Sequence, residues 1–236
     1  MVAPKNQAIK YYRKYTVYNE NLEIESPGIS RDRIFLTYNS PDTDKISETR
    51  IMLEEKGLAL KKPGKILHLG RLVKWKRVDL LIEAISHLYK SHDYIELSII
   101  GSGPEEENLK RMARMKLPEG AVKFHGAIYD SEELAGEIIS SAVYVLGGMG
   151  GLSINEAMAY GLPVICSRCD GTERDLISDG HNGLFFKEGD ADDLASKIET
   201  LLRDPDKSQA NARPCRYFCR ISLLLQTFSQ CEFGCA

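Results

Sequence analysis

The sequence has little net charge and no long apolar run, and each of these shortages excludes a class of protein. Its 236 residues carry a formal net charge of −3 and contain 8% aromatic residues, with one tryptophan. No apolar run reaches the roughly 18 residues that a membrane-spanning helix needs. The near-neutral charge, without a basic face, argues against nucleic acid as a partner. The hydrophobic content of 43% nevertheless suffices for a folded core and argues against disorder.

The first 30 residues also lack the apolar stretch of a secretory signal, so we expect a cytoplasmic protein. Four of the six cysteines lie in the last 30 residues: Cys215, Cys219, Cys231 and Cys235. Their spacing could bind metal, but in a cytoplasmic chain we expect a non-native or frame-shifted end. Cys166 and Cys169 would point in different directions from a strand end, so we expect no zinc site there.

Short β-rich runs alternate with helical patterns from residue 65 onward. The runs are mostly bounded by Gly or Pro and span 65–70, 96–101, 122–126, 142–147, 163–167 and 182–186. Between them, apolar residues recur with helical spacing, as in 77–90 and 105–116. Capping patterns at Asp130 and Asp190 predict two further helix starts. Three methionines fit helix cores: Met112, Met115 and Met158. The alternation predicts an α/β fold, with a Rossmann-like parallel sheet and helices on both faces.

The first strand is followed by a basic loop, at the end of the sheet where ligands of such folds bind. This loop, 70–77, carries four cations: Arg71, Lys74, Lys76 and Arg77. Fixed Arg and Lys side chains suit a polyanion such as a diphosphate. A solvated basic loop is the alternative interpretation.

The fourth strand is followed by a glycine-rich loop, with four glycines among the five residues 147–151. Glycine lets the backbone approach a ligand and expose N–H donors ahead of the helix that starts near Ser153. Glu156, one turn into that helix, could accept the hydroxyls of a ribose. The alternative is a flexible turn followed by a glutamate that the helix dipole favours. Two such loops on one sheet favour a nucleotide site.

A dinucleotide-binding motif is the natural competitor, because Gly101-Ser102-Gly103 follows the second strand. The third glycine of that motif would fall at Glu106, and the acidic side chains 105–107 would repel a pyrophosphate. A phosphate-binding Walker loop also fails, since no Gly-Lys-Ser/Thr follows a glycine run.

Further segments follow one another in a regular order and spacing. They are Gly70-Arg71-Leu72 with Lys76, 79–84, 100–104, 122–126, 155–165, 179–184 and 188–190. Over about 60–206 they resemble the C-terminal domain of retaining GT-B glycosyltransferases of family four. Residues 38–42 are weakly similar to the interdomain linker of that family. Such an ordered series is far more specific than a single motif.

The resemblance implies a hexosyltransferase-type enzyme that uses a nucleotide-diphosphate sugar as donor and needs no metal or other cofactor. Arg71 and Lys76 would be the catalytic cations that neutralise the diphosphate leaving group. The donor-binding residues would be Gly70, Ile128, Gly150, Gly151, Leu152, Ser153 and Glu156. Among them Glu156 would bind the ribose, and Ile128 would lie near the base. The acceptor could be a glycan, a lipid or a small molecule.

Three positions depart from the family pattern. Gly148 stands where the resemblance implies a glutamate that holds the donor sugar. Arg77 stands where the family has a glycine, and Asp175 stands where it commonly has a glutamate. The missing carboxylate leaves a second interpretation open, a non-catalytic nucleotide-sugar-binding or regulatory module. Another GT-B-type enzyme, such as a sugar-nucleotide epimerase, is a third.

The resemblance also implies a division of the chain into three parts. Residues 1–59 would be a remnant of an N-terminal domain with the interdomain linker, containing a helix near 3–19, a strand at 33–38 and a helix at 45–56. Residues 60–206 would be the nucleotide-sugar-binding domain, and 207–236 an atypical Cys-rich tail. We therefore expect a truncated form that is inactive alone, with peripheral membrane association only through the missing domain.

Overall fold

A computed structural model describes residues 41–58, 60–149, 152–169 and 176–203, together with Glu173. The strands are β1 Lys65–Leu69, β2 Glu96–Ile100, β3 Val122–Gly126, β4 Val143–Leu146, β5 Val164–Ser167 and β6 Gly183–Phe186. The α-helices are α1 Thr43–Glu55, α2 Val78–Leu88, α3 Glu106–Lys116, α4 Ser131–Ile139, α5 Leu152–Ala159 and α6 Ala191–Arg203. A short 3-10 helix, Lys74–Lys76, precedes α2. All six strands of the sequence prediction are confirmed.

The six strands form one parallel sheet in the order β3-β2-β1-β4-β5-β6. The chain runs outward from β1 to β3, then returns to the other side of β1 and continues from β4 to β6. The strand order therefore reverses between β1 and β4, and ligands of open α/β sheets bind beside the carboxyl ends of the strands at such a point. The Rossmann-like fold class is confirmed.

Aspartates start three of the helices by accepting backbone hydrogen bonds from the first turn. Asp42 accepts from Lys45 N at the start of α1, and Asp130 accepts from the amides of Glu132 and Glu133 at 3.0 and 2.8 Å. Asp190 accepts from Asp193 N at 3.0 Å. The predicted helix starts at Asp130 and Asp190 are thus confirmed.

The core has two layers, one on each face of the sheet. Helices α2, α3 and α6 pack their apolar sides on one face, around fully buried residues such as Leu81 and Ile198. Helices α4 and α5 cover the other face, around Ile138, Ile154 and Tyr144. Helix α1 packs against α4 through Leu53. Strands buried on both faces explain the near-continuous apolar runs in the sequence.

A polar network that sequence reasoning missed lies between the sheet and α4. The buried Lys65 donates to Glu137 at 2.6 Å, and Ser98 donates to the same carboxylate oxygen at 3.1 Å. His125 Nε2 lies 2.8 Å from Ser98 Oγ. Burial raises the pKa of Glu137, but Lys65, with smaller contributions from His125 and Ser98, outweighs it, so the pKa lies below its ordinary value. His125 therefore makes structural contacts within the fold.

One expectation about the core was wrong. Met115 is 79% exposed because it lies on the outer side of α3, whereas Leu109 and Ala113 of that helix are buried. The predicted helix near 3–19, the strand at 33–38 and the tail at 207–236 lie outside the described residues. None of the helices in the described part of the chain combines the length and hydropathy that a membrane crossing requires.

Candidate functional site

The two loops that the sequence singled out contact each other at the carboxyl edge of the sheet. The loop after β1 contains the 3-10 helix Lys74–Lys76, and the loop after β4 leads into α5. Met149 donates its backbone N–H to the carbonyl oxygen of Trp75 at 2.9 Å. Lys76 Nζ donates to the carbonyl oxygen of Met149 at 3.0 Å. These two hydrogen bonds hold the loops together where the strand order reverses.

Gly148 lies against the backbone of the β1 loop, and its lack of a side chain is a steric requirement. A Cβ atom at this position would lie 2.1 Å from the carbonyl oxygen of Trp75 and 3.0 Å from Cγ of Arg77. The first distance is far inside van der Waals contact, so any side chain would push the two loops apart. The close approach of the β1 and β4 loops therefore leaves no room for a carboxylate side chain at position 148.

The loop after β2 supports the basic loop from the other side. A Cβ on Gly103 would lie 2.2 Å from the carbonyl oxygen of Leu72, and Leu72 N donates to Ser102 O at 2.9 Å. Gly101-Ser102-Gly103, which matches only the beginning of a dinucleotide-binding motif, therefore has a packing role. It lets the β2 loop approach the backbone beside Arg71. A Gly-x-Gly directly after a strand was the available signal for such close packing.

The four cations of the β1 loop are not equivalent. Arg71 and Lys74 are exposed, and neither forms an ion pair with a described residue. Lys76 is half-buried and is held by the Met149 carbonyl. Arg77 donates through Nε to both carboxylate oxygens of Asp79 at 3.1 and 3.2 Å. Of the cations in this loop, Arg77 is therefore paired with a carboxylate of its own helix.

Ser153, in the first turn of α5, lies against a buried tyrosine that sequence reasoning missed. The Tyr144 hydroxyl lies 2.7 Å from Ser153 Oγ and donates to it, and it is also 3.3 Å from the carbonyl oxygen of Leu69. Burial raises the pKa of Tyr144 above its ordinary value, so the phenol keeps its proton. With Tyr144 as its donor, Ser153 can direct its own proton toward a ligand. A tyrosine within an otherwise aliphatic strand was the available signal, because a buried phenol usually finds a hydrogen-bond partner.

Glu156 lies one turn further along α5 and is half-buried. Burial raises the pKa of its carboxyl above the ordinary value. No described residue forms a hydrogen bond or an ion pair with the Glu156 carboxylate. A partly buried carboxylate without a protein donor suits a ligand that brings its own donors, such as the two hydroxyls of a ribose.

His68, on β1, is fully buried beneath the crossing of the loops. Its Nδ1 lies 3.2 Å from the carbonyl oxygen of Val145, so Nδ1 carries the proton and Nε2 is the acceptor. Nε2 has no hydrogen-bond partner among the described residues. Burial lowers the pKa of His68 to about 4, and the charge of Lys76 acts in the same direction. His68 is therefore neutral at physiological pH.

The remaining candidates lie at the same edge or outside the described residues. Ile128 follows β3 and packs against the core layer of α5. Because strands lie about 4.8 Å apart, the carboxyl ends of β3 and β1 are about 10 Å apart in the sheet order β3-β2-β1. Gly70 follows β1, and Leu152 begins α5 with an exposed side chain. Gly150, Gly151 and Asp175 lie outside the described residues.

Neither cysteine of the Cys-x-x-Cys pair at the end of β5 forms a disulfide with another described residue. Cys166 is buried, and Cys169 Sγ lies 3.0 Å from Ser167 Oγ. Within the described residues, no three His, Cys, Asp or Glu side chains converge as a metal site would require.

Comparison with known proteins shows which protein family the sequence matches. The family model of the glycosyl transferases group 1 matches residues 50–214. A GDP-mannose-dependent alpha-(1-6)-phosphatidylinositol monomannoside mannosyltransferase of Mycolicibacterium smegmatis is 31% identical over 200 residues, which are 80% of this chain and 49% of the relative. An uncharacterized glycosyltransferase of Haemophilus influenzae is 29% identical over 164 residues, 68% of this chain and 46% of the relative. The chain thus spans about half the length of these relatives.

Solved structures share the fold. The Anabaena protein HepE, in complex with UDP and glucose, superposes with a TM-score of 0.66 at 20% identity, covering 88% of this chain and 59% of that protein. The C-terminal domain of a glycosyl transferase group 1 family protein from Francisella tularensis gives a TM-score of 0.61 at 22% identity, covering 74% of this chain and 94% of that domain.

Proposed function

The chain belongs to the glycosyl transferases group 1 family, and we propose that it transfers a sugar from a nucleotide-diphosphate sugar to an acceptor with retention of configuration. The observation that supports this proposal is the contact between the β1 and β4 loops, in which Met149 N donates to Trp75 O and Lys76 Nζ donates to Met149 O. Arg71 and Lys76 belong to the first loop, and the second leads into α5. Two similar proteins support a nucleotide sugar as the donor: one is a GDP-mannose-dependent mannosyltransferase, and the other was solved in complex with UDP and glucose.

The diphosphate is proposed to bind between the basic loop and the N-terminus of α5. Arg71 is exposed, and its guanidinium can bond two phosphate oxygens at once. Lys76 adds a second charge, and Gly70 lets the ligand approach the backbone. The amides of Gly150, Gly151 and Leu152 and the Ser153 hydroxyl are proposed to bind the same phosphates, because a helix N-terminus favours an anion.

The proposed catalytic effect is electrostatic. Negative charge builds on the departing diphosphate as its bond to the sugar breaks, so cations that are already in place lower the barrier. Lys76 is held by the Met149 carbonyl before any ligand arrives, which reduces the reorganisation that the reaction needs. Arg71 and Lys76 would thus be the catalytic cations, and the proposed chemistry assigns no role to a metal.

The nucleoside would lie along the carboxyl edge toward β3. Glu156 would accept the ribose hydroxyls, since its carboxylate has no donor among the described residues. Ile128 would contact the base, because the distance of about 10 Å between the ends of β1 and β3 suits a nucleotide that is anchored by its diphosphate. Residues 60–206 would accordingly form the donor-binding domain, and the glycan, lipid or small-molecule acceptor would bind outside it.

A non-catalytic nucleotide-sugar-binding module is a second candidate, and Gly148 favours it. The contact with Trp75 excludes a side chain at 148, so this position supplies no carboxylate for the donor sugar. The two candidates differ in turnover. An enzyme releases UDP or GDP from the donor when acceptor extract is added, whereas a module binds the donor and releases neither.

Calorimetry of the full chain with UDP, GDP, UDP-glucose and GDP-mannose tests the donor site. Arg71→Ala and Lys76→Ala should each weaken binding of the preferred nucleotide by about tenfold or more, because each removes a charge-assisted contact. Lys90→Ala is the matched control, since Lys90 is exposed and lies after α2, at the opposite edge of the sheet. Unchanged affinity in both crevice variants would refute the diphosphate assignment.

A further inference from the structure

The basic loop exposes a large apolar side chain, that of Trp75. Trp75 is the only tryptophan of the chain and is 53% exposed, although an indole gains much free energy from burial. Met149, in the facing loop, is 46% exposed. Exposed apolar groups that lie together beside a polar site are typical of ligand or partner contacts.

Backbone hydrogen bonds place these two residues side by side. The hydrogen bond from Met149 N to Trp75 O is 2.9 Å long, and Lys76, the next residue after Trp75, donates to Met149 O. The apolar pair therefore adjoins a cation that is proposed to hold the diphosphate. In a nucleotide sugar, the sugar is bonded directly to the terminal phosphate. A donor bound by these cations must therefore place its sugar within reach of this pair.

We propose that the indole of Trp75, together with the thioether of Met149, contacts the C–H face of the donor's pyranose ring. This inference rests on the proposed function and adds the mode of sugar recognition. The face of an aromatic ring carries partial negative charge, which complements the weakly positive C–H groups of a pyranose. Closing the sugar over the indole also removes apolar surface of both from water.

The backbone at 148 gives this contact its selectivity. Gly148 bears no side chain and cannot be given one without displacing Trp75, so the adjoining loop offers the sugar no charged group at that position. Trp75 and Met149 thus recognise the shape and the apolar surface of the donor's pyranose. Donors are therefore discriminated by the C–H face that the pyranose presents, and the nucleotide part is held independently by Arg71 and Glu156.

The single tryptophan makes the contact directly observable, because all indole fluorescence of the full chain comes from Trp75. At saturation, UDP-glucose or GDP-mannose should shift the emission to shorter wavelength than UDP or GDP alone, since only the sugar covers the indole. Calorimetry run in parallel establishes that both ligands bind. Equal spectra with the nucleotide and with its sugar, when both are bound, would overturn the proposal.

Variants of Trp75 separate stacking from a general disturbance of the loop. Trp75→Ala should weaken binding of the nucleotide sugar about tenfold more than binding of the free nucleotide. Trp75→Phe should retain most of the additional affinity that the sugar provides. Met115→Ala is the matched control, because Met115 is an exposed apolar residue on α3, away from the crevice.

The outcomes distinguish this inference from the proposed function. Equal weakening of nucleotide and nucleotide sugar by Trp75→Ala would mean that the indole supports the base or the loop, and would contradict the sugar contact. Absence of any nucleotide binding by the wild-type chain would contradict the donor site itself. Nucleotide binding to which the sugar adds nothing would contradict only the role of Trp75.

Discussion

Met149 donates its backbone N–H to the carbonyl oxygen of Trp75 at 2.9 Å, although the two residues belong to loops that follow different strands. The bond joins the two loops where the strand order reverses, and the next residue, Lys76, adds a second bond to the Met149 carbonyl. The candidate site is therefore formed by two loops together. A substitution in either loop should change the conformation of the other.

Gly148→Ala should destabilise the protein and weaken nucleotide binding. The added Cβ would lie 2.1 Å from the carbonyl oxygen of Trp75, so the loops must separate. We expect a loss of about 1–3 kcal/mol in the free energy of unfolding, as for other overpacked sites. Urea denaturation and calorimetry with UDP measure the two effects.

Gly136→Ala is the control for that substitution. A Cβ at Gly136, within α4, meets no atom within 4 Å. This variant should be neutral or more stable by up to about 1 kcal/mol, because alanine favours a helix over glycine. Equal stability of the two variants would show that the contact between Gly148 and Trp75 does not constrain the loops.

The Arg77→Gly variant of the protein should be more stable than the Arg77→Ala variant. Arg77 is the single non-glycine residue of the described part of the chain with a positive φ, +50°, and it stands at the start of α2. Both variants lose the contact with Asp79, but only alanine keeps a Cβ in the left-handed conformation. We expect Arg77→Gly to exceed Arg77→Ala by about 1 kcal/mol in the free energy of unfolding. The opposite order, usual at ordinary positions, would refute the strained conformation.

Tyr144→Phe should weaken nucleotide binding through Ser153. The substitution removes the donor to Ser153 Oγ and leaves buried oxygens without their partner, so we expect a loss of about 1 kcal/mol in stability. If Tyr144 orients Ser153 toward the phosphates, Ser153→Ala and the double variant should lose similar binding affinity. Additive losses in calorimetry with UDP would instead show that the two hydroxyls act independently.

The protonation of His68 should make the stability of the protein fall in mild acid. Its pKa is about 4 in the folded state against an ordinary value of 6.5, so only the unfolded chain takes up a proton between these values. Stability is therefore greatest above about pH 6.5 and falls as the pH decreases. We expect His68 to account for about 2 kcal/mol between about pH 7 and pH 5.

His68→Gln is the matched variant for that experiment, since it retains an N–H donor for the Val145 carbonyl and does not titrate. Its free energy of unfolding, measured by urea denaturation, should change less than that of the wild type over the same pH interval. Parallel pH profiles of the two proteins would show that His68 is not the group responsible.

Local sequence signals were sufficient for the elements and for the place of the candidate site. The apolar runs of β1 and β4 and the caps at Asp130 and Asp190 depend on neighbours in sequence, and all are present in the fold. The loops after β1 and β4 were identifiable because glycine and cation clusters follow strand ends. Met115 was misplaced because its helix has a narrow apolar side, which the presence of a methionine alone does not reveal.

The sequence by itself determined the α/β class, the order of the elements and the two loops, because these depend on periodicity and on turn residues that act over a few positions. Tertiary structure alone decided that Tyr144 supports Ser153 and that Trp75 meets Gly148. Such contacts depend on strand order and on side-chain direction. Lys65 and Glu137 show the reason most simply: they lie 72 positions apart, and their ion pair of 2.6 Å exists only once the sheet has placed α4 over β1.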